Sequence, residues 1–134
     1  MVDLSDRFRR ETSEQLHSLR VNLLELEQFY DRDAPAWGER ERLGELFRTA
    51  HSLKGKFGTE GLAEASELEH ALEDLLDAVA KGRLEPTGAT LDDALDAVDA
   101  LQAVIDEGAA GGGSETNLAH VRDQLRDHVA AAGE

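Results

Sequence analysis

The chain has no cysteine, which excludes disulfides, thiolate catalysis and cysteine-ligated zinc. It has little proline, two residues, and few aromatics, 4%. Twelve glycines with so little proline argue against a turn-dense, strand-rich fold, and the core must be built mainly from Leu, Ala and Val. No apolar run approaches the roughly 18 residues that a membrane-spanning helix needs. The start, Met1-Val2-Asp3-Leu4-Ser5-Asp6, is acidic where a signal peptide would be apolar. These absences read as a soluble, cytoplasmic domain. Basic residues are also scarce: 14 Lys+Arg stand against 29 Asp+Glu, a net charge of −15 over 134 residues. Nucleic acid and anionic membrane surfaces both need clustered cations, so neither is an expected partner. Only three cations are Lys, and heavy acidity with little Lys also fits a protein working at high salt, where self-repulsion is screened.

What is present is helical periodicity, and apolar residues at 40% suffice for one small core. A first helix is expected from Leu4 to Tyr30, with Leu16, Leu19, Leu23, Leu26 and Tyr30 as its stripe. Pro35 suits the first turn of a second helix running to Phe57, with Leu43, Leu46, Ala50, Leu53 and Phe57 facing inward. Gly58-Thr59-Glu60-Gly61 reads as a tight turn before a third helix, Leu62 to Ala80. Lys81 and Gly82 suit its end. Thr90 with Asp93 resembles a capping box opening a fourth helix, closed by Gly108. Gly111-Gly112-Gly113-Ser114 reads as a tether to a last amphipathic helix carrying Leu118, Val121, Leu125 and Val129. The expected fold is all-α: an antiparallel up-down four-helix bundle over 1–107, a Gly-rich linker over 108–116 and an accessory helix over 117–134. That helix is expected outside the four-helix core, or mobile.

One segment carries chemistry, His51-Ser52-Leu53-Lys54-Gly55. At 100° per residue, His51 lies about 120° from the apolar stripe of its helix, Gly55 about 160°, Gly58 about 100° and Lys54 about 60°. The face thus offers an imidazole, a neighbouring ammonium and a position without side-chain bulk. Glycine inside a helix costs roughly 1 kcal/mol relative to Ala, and close approach of another molecule is a reason to keep it. Ala50 and Leu72 occupy equivalent stripe positions, so His51 and Glu73 share a flank. Antiparallel pairing across the Gly58–Gly61 turn brings them level. A carboxylate on Nδ1–H fixes the tautomer and leaves Nε2 unprotonated. His70, three residues before Glu73, borders the same surface.

Each feature alone has a plainer reading. Surface histidines and lysines are usually only that, Glu73 stands among Glu64, Glu67, Glu69, Asp74 and Asp77, and Gly55 could be a helix end with Phe57 capping the core. It is their conjunction that points to a site. His17, His120 and His128 have no such company and read as surface residues; Trp37 reads as packed at the bundle end, and Phe8, Phe29, Tyr30, Phe47 and Phe57 as core or core edge. Two chemistries remain open on these residues: phosphoryl transfer through His51, or a metal site of His51, His70 and Glu73. A purely structural adaptor is a third possibility.

Phe47-Arg48-Thr49-Ala50-His51-Ser52-Leu53-Lys54-Gly55, followed by Gly58, Gly61 and Leu62, resembles the histidine phosphotransfer (HPt) family. Within it the likeness is to the N-terminal phosphotransfer domains of CheA-type chemotaxis kinases. His70, Glu73, Leu75, Leu76 and Asp77 keep that spacing, and Phe8-Arg9-Arg10-Glu11 with Leu23-Leu24-Glu25-Leu26-Glu27 resembles the first helix. The resemblance implies that His51 accepts the γ-phosphoryl of ATP from a kinase domain and passes it to an aspartate on the receiver domain of a CheY- or CheB-type response regulator. It also implies that Lys54 stabilises phosphoryl charge, Glu73 orients and activates His51, His70 tunes it, and Gly55 and Gly58 clear the partner's approach. A phosphorelay module of a hybrid kinase is the nearest alternative within the family. Lys56 and Phe57 stand where relatives often have small residues, and Glu60 where an apolar one is common. The sequence holds no Walker-type Gly-x-x-x-x-Gly-Lys stretch, so no cofactor is expected in this domain, with ATP and Mg²⁺ supplied through partner domains. The chain alone reads as a phosphocarrier, part of a longer kinase.

Overall fold

A computed structural model describes residues 5–31, 36–53, 55–85, 88–107 and 114–132. Helix α1 spans Asp6–Asp31. Ser5 caps it, its Oγ accepting the Phe8 amide at 3.1 Å. Leu16, Leu19, Leu23 and Leu26 are fully or almost fully buried along one face. Helix α2 spans Ala36–Leu53 and inserts Leu46, Ala50 and Leu53.

The second helix stops earlier than the apolar steps suggest. Gly55 takes a left-handed φ of 84°, and a separate short helix, α3, covers Lys56–Thr59. Phe57 therefore enters the core from α3, fully buried and edge-to-face with Phe8 at 5.8 Å between ring centroids. The glycine sits at a helix end, not inside a helix. Gly61, φ 79°, then closes α3: its amide bonds the Gly58 carbonyl while the Leu62 amide bonds that of Phe57. This paired pattern is a Schellman cap.

Helix α4 spans Ala63–Ala80. It is the most deeply embedded helix, burying Leu68, Leu72, Leu75, Leu76 and Val79, because α2, α5 and α6 all pack on it. It ends in the same device, with Gly82 at φ 77° and the Arg83 amide bonded to the Ala78 carbonyl at 2.9 Å. Helix α5 spans Gly88–Glu107, so Thr90 lies inside its first turn, buried, instead of capping it. Helix α6 spans Ser114–Ala132, starting ahead of the expected position.

Helix α1 packs on α2 and α5, α2 on α4, and α4 on α5, which closes an antiparallel four-helix bundle. Arg9 crosses from α1 to cap the Ile105 carbonyl near the end of α5, at 2.8 Å. Helix α6 covers the groove between α4 and α5, and its Leu118 and Leu125 join the same buried cluster as the other helices. Arg122 to Glu67 at 2.7 Å and His128 to Asp93 at 2.5 Å tie it to α4 and α5. His128 is thus an inter-helix residue, not a bare surface one. His17 and His120 are exposed. Pro35, Lys54, the Gly111–Gly113 tether and the side chains of Phe29, Tyr30 and Trp37 lie outside the described residues. Among the described residues no helix is long and apolar enough to cross a membrane.

Candidate functional site

His51 projects from the last turn of α2, flanked inward by the buried Ala50 and Leu53. Its side chain is 59% exposed. Two neighbours fix the ring. Phe47, one turn earlier on α2, stacks on it at 6.0 Å between centroids and 22° between planes. Glu73 of α4 places Oε1 2.9 Å from Nδ1. The Glu73 side chain is only 12% exposed, and its second oxygen, Oε2, is buried without a hydrogen-bond partner among the described residues.

An ionised carboxylate can only accept, so Nδ1 carries the proton and donates it. In the neutral ring Nε2 then keeps its lone pair. It lies on the side of the ring away from Glu73. A half-exposed imidazole with one nitrogen braced, and no hydrogen bond to the other among the described residues, is a nucleophile in a fixed orientation.

The helix register that levels residues 51 and 73 is therefore met in space. His70 is exposed one turn before Glu73 on α4. Among the described residues, no group of three or more His, Asp or Glu side chains is arranged to hold a metal ion, so His51, His70 and Glu73 do not form such a centre. Lys54 falls outside the described residues. A Cβ on Gly55 would meet nothing within 4 Å, and one on Gly58 would touch Ser66 Oγ at 3.4 Å. The positive φ of Gly55 gives an internal reason for glycine there, beside the open approach.

Two features escaped the sequence. The Phe47 stack is an i, i+4 contact whose spacing was available. The other is a polar chain behind the site: Lys56 Nζ donates to Gln15 Oε1 at 2.7 Å, Gln15 Nε2 donates to Ser52 Oγ at 3.0 Å, and Ser52 Oγ donates to the Thr49 carbonyl at 2.8 Å. It borders a cleft of about 490 Å³ between the start of α1 and the α2–α3 corner, lined by Arg7, Phe8, Glu11, Ser52 and Lys56 among others. There a hydrogen bond from Arg7, and then its charge, hold the Glu11 carboxyl below the usual carboxylate range.

Fold and site together define an all-helical module built around one braced surface imidazole. The comparisons agree. The Hpt domain family model matches residues 3–106, and the chain belongs to the Hpt domain family. It is 40% identical over 126 residues to chemotaxis protein CheA of Halobacterium salinarum, and 32% identical over 126 residues to CheA of Treponema pallidum. Each match covers 94% of this chain but only 18% and 15% of those relatives' length. Among solved structures, the phosphorylated P1 domain of CheA3 in complex with CheY6 from R. sphaeroides aligns with a TM-score of 0.72 and 28% identity. That alignment covers 93% of this chain and 94% of the other.

Proposed function

We propose that the chain is the phosphotransfer domain of a CheA-type chemotaxis kinase, with His51 as its phosphoryl acceptor. The observation that carries the reading is the 2.9 Å contact of His51 Nδ1 with the shielded carboxylate of Glu73, on a ring still 59% exposed. The Nε2 lone pair attacks the γ-phosphorus of ATP held by a kinase domain. The Nε2–P bond forms as the bond to the ADP oxygen breaks, and ADP leaves. The ring becomes cationic as it reacts, and Glu73, keeping the Nδ1 proton in a hydrogen bond, stabilises that charge. In the second step a receiver-domain aspartate oxygen attacks phosphorus, the N–P bond breaks, and its electron pair returns to Nε2.

Phosphoryl transfer depends mainly on positioning and charge neutralisation. Mg²⁺ and the nucleotide come from the kinase domain, and the second acceptor from the regulator. Lys54 is assigned to the phosphoryl charge, His70 to tuning, and Gly55 and Gly58 to clearance. Dependence on ATP assigns the domain to the cytoplasm. The four-helix unit over 1–107 is the phosphotransfer unit proper, with the tether and last helix as its accessory. His51→Gln tests the reading: the variant should keep its fold, since the ring is exposed, and take up no label from a CheA kinase domain and ATP. Undiminished labelling of the folded variant would end the assignment.

A further inference from the structure

Helix α2 ends two residues after His51, and the next described residue, Gly55, is left-handed. The last turn of a helix leaves carbonyls without intrahelical partners, and local opening begins at such ends. His51 thus stands in the last turn of its helix, held on the inner side by the buried Ala50 and Leu53, while its role demands a fixed ring. Among the described side chains of α2 it is the Phe47 stack that restrains the imidazole, and Phe47 belongs to the same helix end.

Besides Glu73 of α4, which holds the ring, a restraint on this turn comes from α1. Gln15 works in both directions: its carbonyl accepts from the Lys56 ammonium at 2.7 Å, and its amide nitrogen donates to Ser52 Oγ at 3.0 Å. The ammonium polarises the amide and strengthens the donated bond. Ser52, adjacent to His51, passes the restraint to the backbone through the Thr49 carbonyl at 2.8 Å. From the other side, Thr59 clamps the Gly55 carbonyl with its amide at 2.8 Å and its hydroxyl at 2.7 Å. One amide therefore joins α1, the end of α2 and the start of α3. We propose that Gln15 is a positioning residue for His51. By pinning Ser52 to α1 it keeps the final turn of α2 closed, and so keeps the imidazole on Glu73. It touches neither the phosphoryl group nor the ring. The catalytic consequence rests on His51 being the acceptor; the closing of the turn does not.

The test is Gln15→Leu, which keeps volume and removes both bonds, in the full 134-residue chain. Losing the bond to Ser52, the one of the two that reaches this turn, should raise amide hydrogen exchange at residues 50–53 about fivefold, with α4 and α5 unchanged. Labelling by a CheA kinase domain should slow by a similar factor in kcat, with KM for the domain unchanged. Gln15→Glu keeps the bond from Lys56 but has no hydrogen to give Ser52 Oγ, whose own hydrogen goes to the Thr49 carbonyl, so it should be slowed like Gln15→Leu; a normal rate would overturn the proposal. Gln15→Leu combined with Ser52→Ala should be no slower than the slower single variant, because both break one chain. Unchanged exchange at 50–53, exchange raised equally in every helix, or additive losses would overturn the proposal. If even the unaltered chain takes up no phosphoryl group, the functional reading falls, while the exchange pattern still decides whether Gln15 holds the turn.

Discussion

Replacing Glu73 by Gln changes one charge and almost no volume, and its effect can be worked from the contact. The carboxylate accepts from His51 Nδ1 at 2.9 Å and is 12% exposed, so solvent screens it little. A hydrogen bond with one charged partner contributes about 1.5–3 kcal/mol, and a neutral one about 0.5–1.5 kcal/mol. Gln keeps a neutral bond through Oε1 in the resting state, and what slows transfer is the further attraction it cannot supply as the ring becomes cationic, about 1–2 kcal/mol at this contact. That corresponds to a roughly 5- to 30-fold slower transfer. KM for the domain should not change, because Glu73 lies beneath the ring and not on the approach. The melting temperature should fall by several degrees, because the amide nitrogen takes the place of the buried Oε2, which has no hydrogen-bond partner among the described residues, so the rate is read on the folded fraction. Quench-flow labelling with a CheA kinase domain, alongside a thermal melt, measures both quantities. A folded Glu73→Gln domain labelled at the normal rate would refute the reasoning and leave Glu73 as a plain surface-flank carboxylate.

Gly55→Ala should destabilise the isolated domain by about 1–2 kcal/mol in urea titration, because a left-handed φ of 84° penalises any Cβ although the space is open. An unchanged midpoint would show that the α2–α3 corner can relax. The Asp96 carboxyl is pushed above the usual range by desolvation first, then by Asp93, Asp99 and Asp92. A raised acid favours the native state while protonated, and that contribution is lost as pH rises through the folded value. Asp96→Asn should therefore stabilise the domain at pH 7, with the gain shrinking towards and below pH 3.8, the ordinary value. Multimolar salt should shrink the same gain by screening the acidic row. A gain insensitive to both would mean that packing, not charge, produced it.

The legible part of this fold is what periodicity reports. Leu16, Leu19, Leu23 and Leu26 of α1 are buried as their spacing requires, and Gly82 ends α4 as its position suggests. The 51–73 pairing was also within reach, because a short turn forces antiparallel neighbours into a fixed register. The apolar steps overran the end of α2, since Phe57 continues the three/four spacing while belonging to a separate helical turn. A stripe shows which residues face inward, not whether the chain between them stays α-helical. Thr90 misled for the converse reason: a cap-like residue is buried in the first turn of α5 instead. Gln15 reaching Ser52 and Lys56, and His128 reaching Asp93, were illegible because they depend on how two helices turn about their axes on meeting. The same holds for Leu118 and Leu125, whose spacing showed an apolar face but not that the α4–α5 groove would take it.

The bond position on the phosphorylated ring tests the central claim most directly. Nitrogen-15 and phosphorus-31 spectra of the labelled domain identify which imidazole nitrogen carries the group. If Glu73 holds the Nδ1 proton, phosphorus is bonded to Nε2 of His51 alone. Phosphorus on Nδ1, or on His17, His70 or His120, would contradict the account.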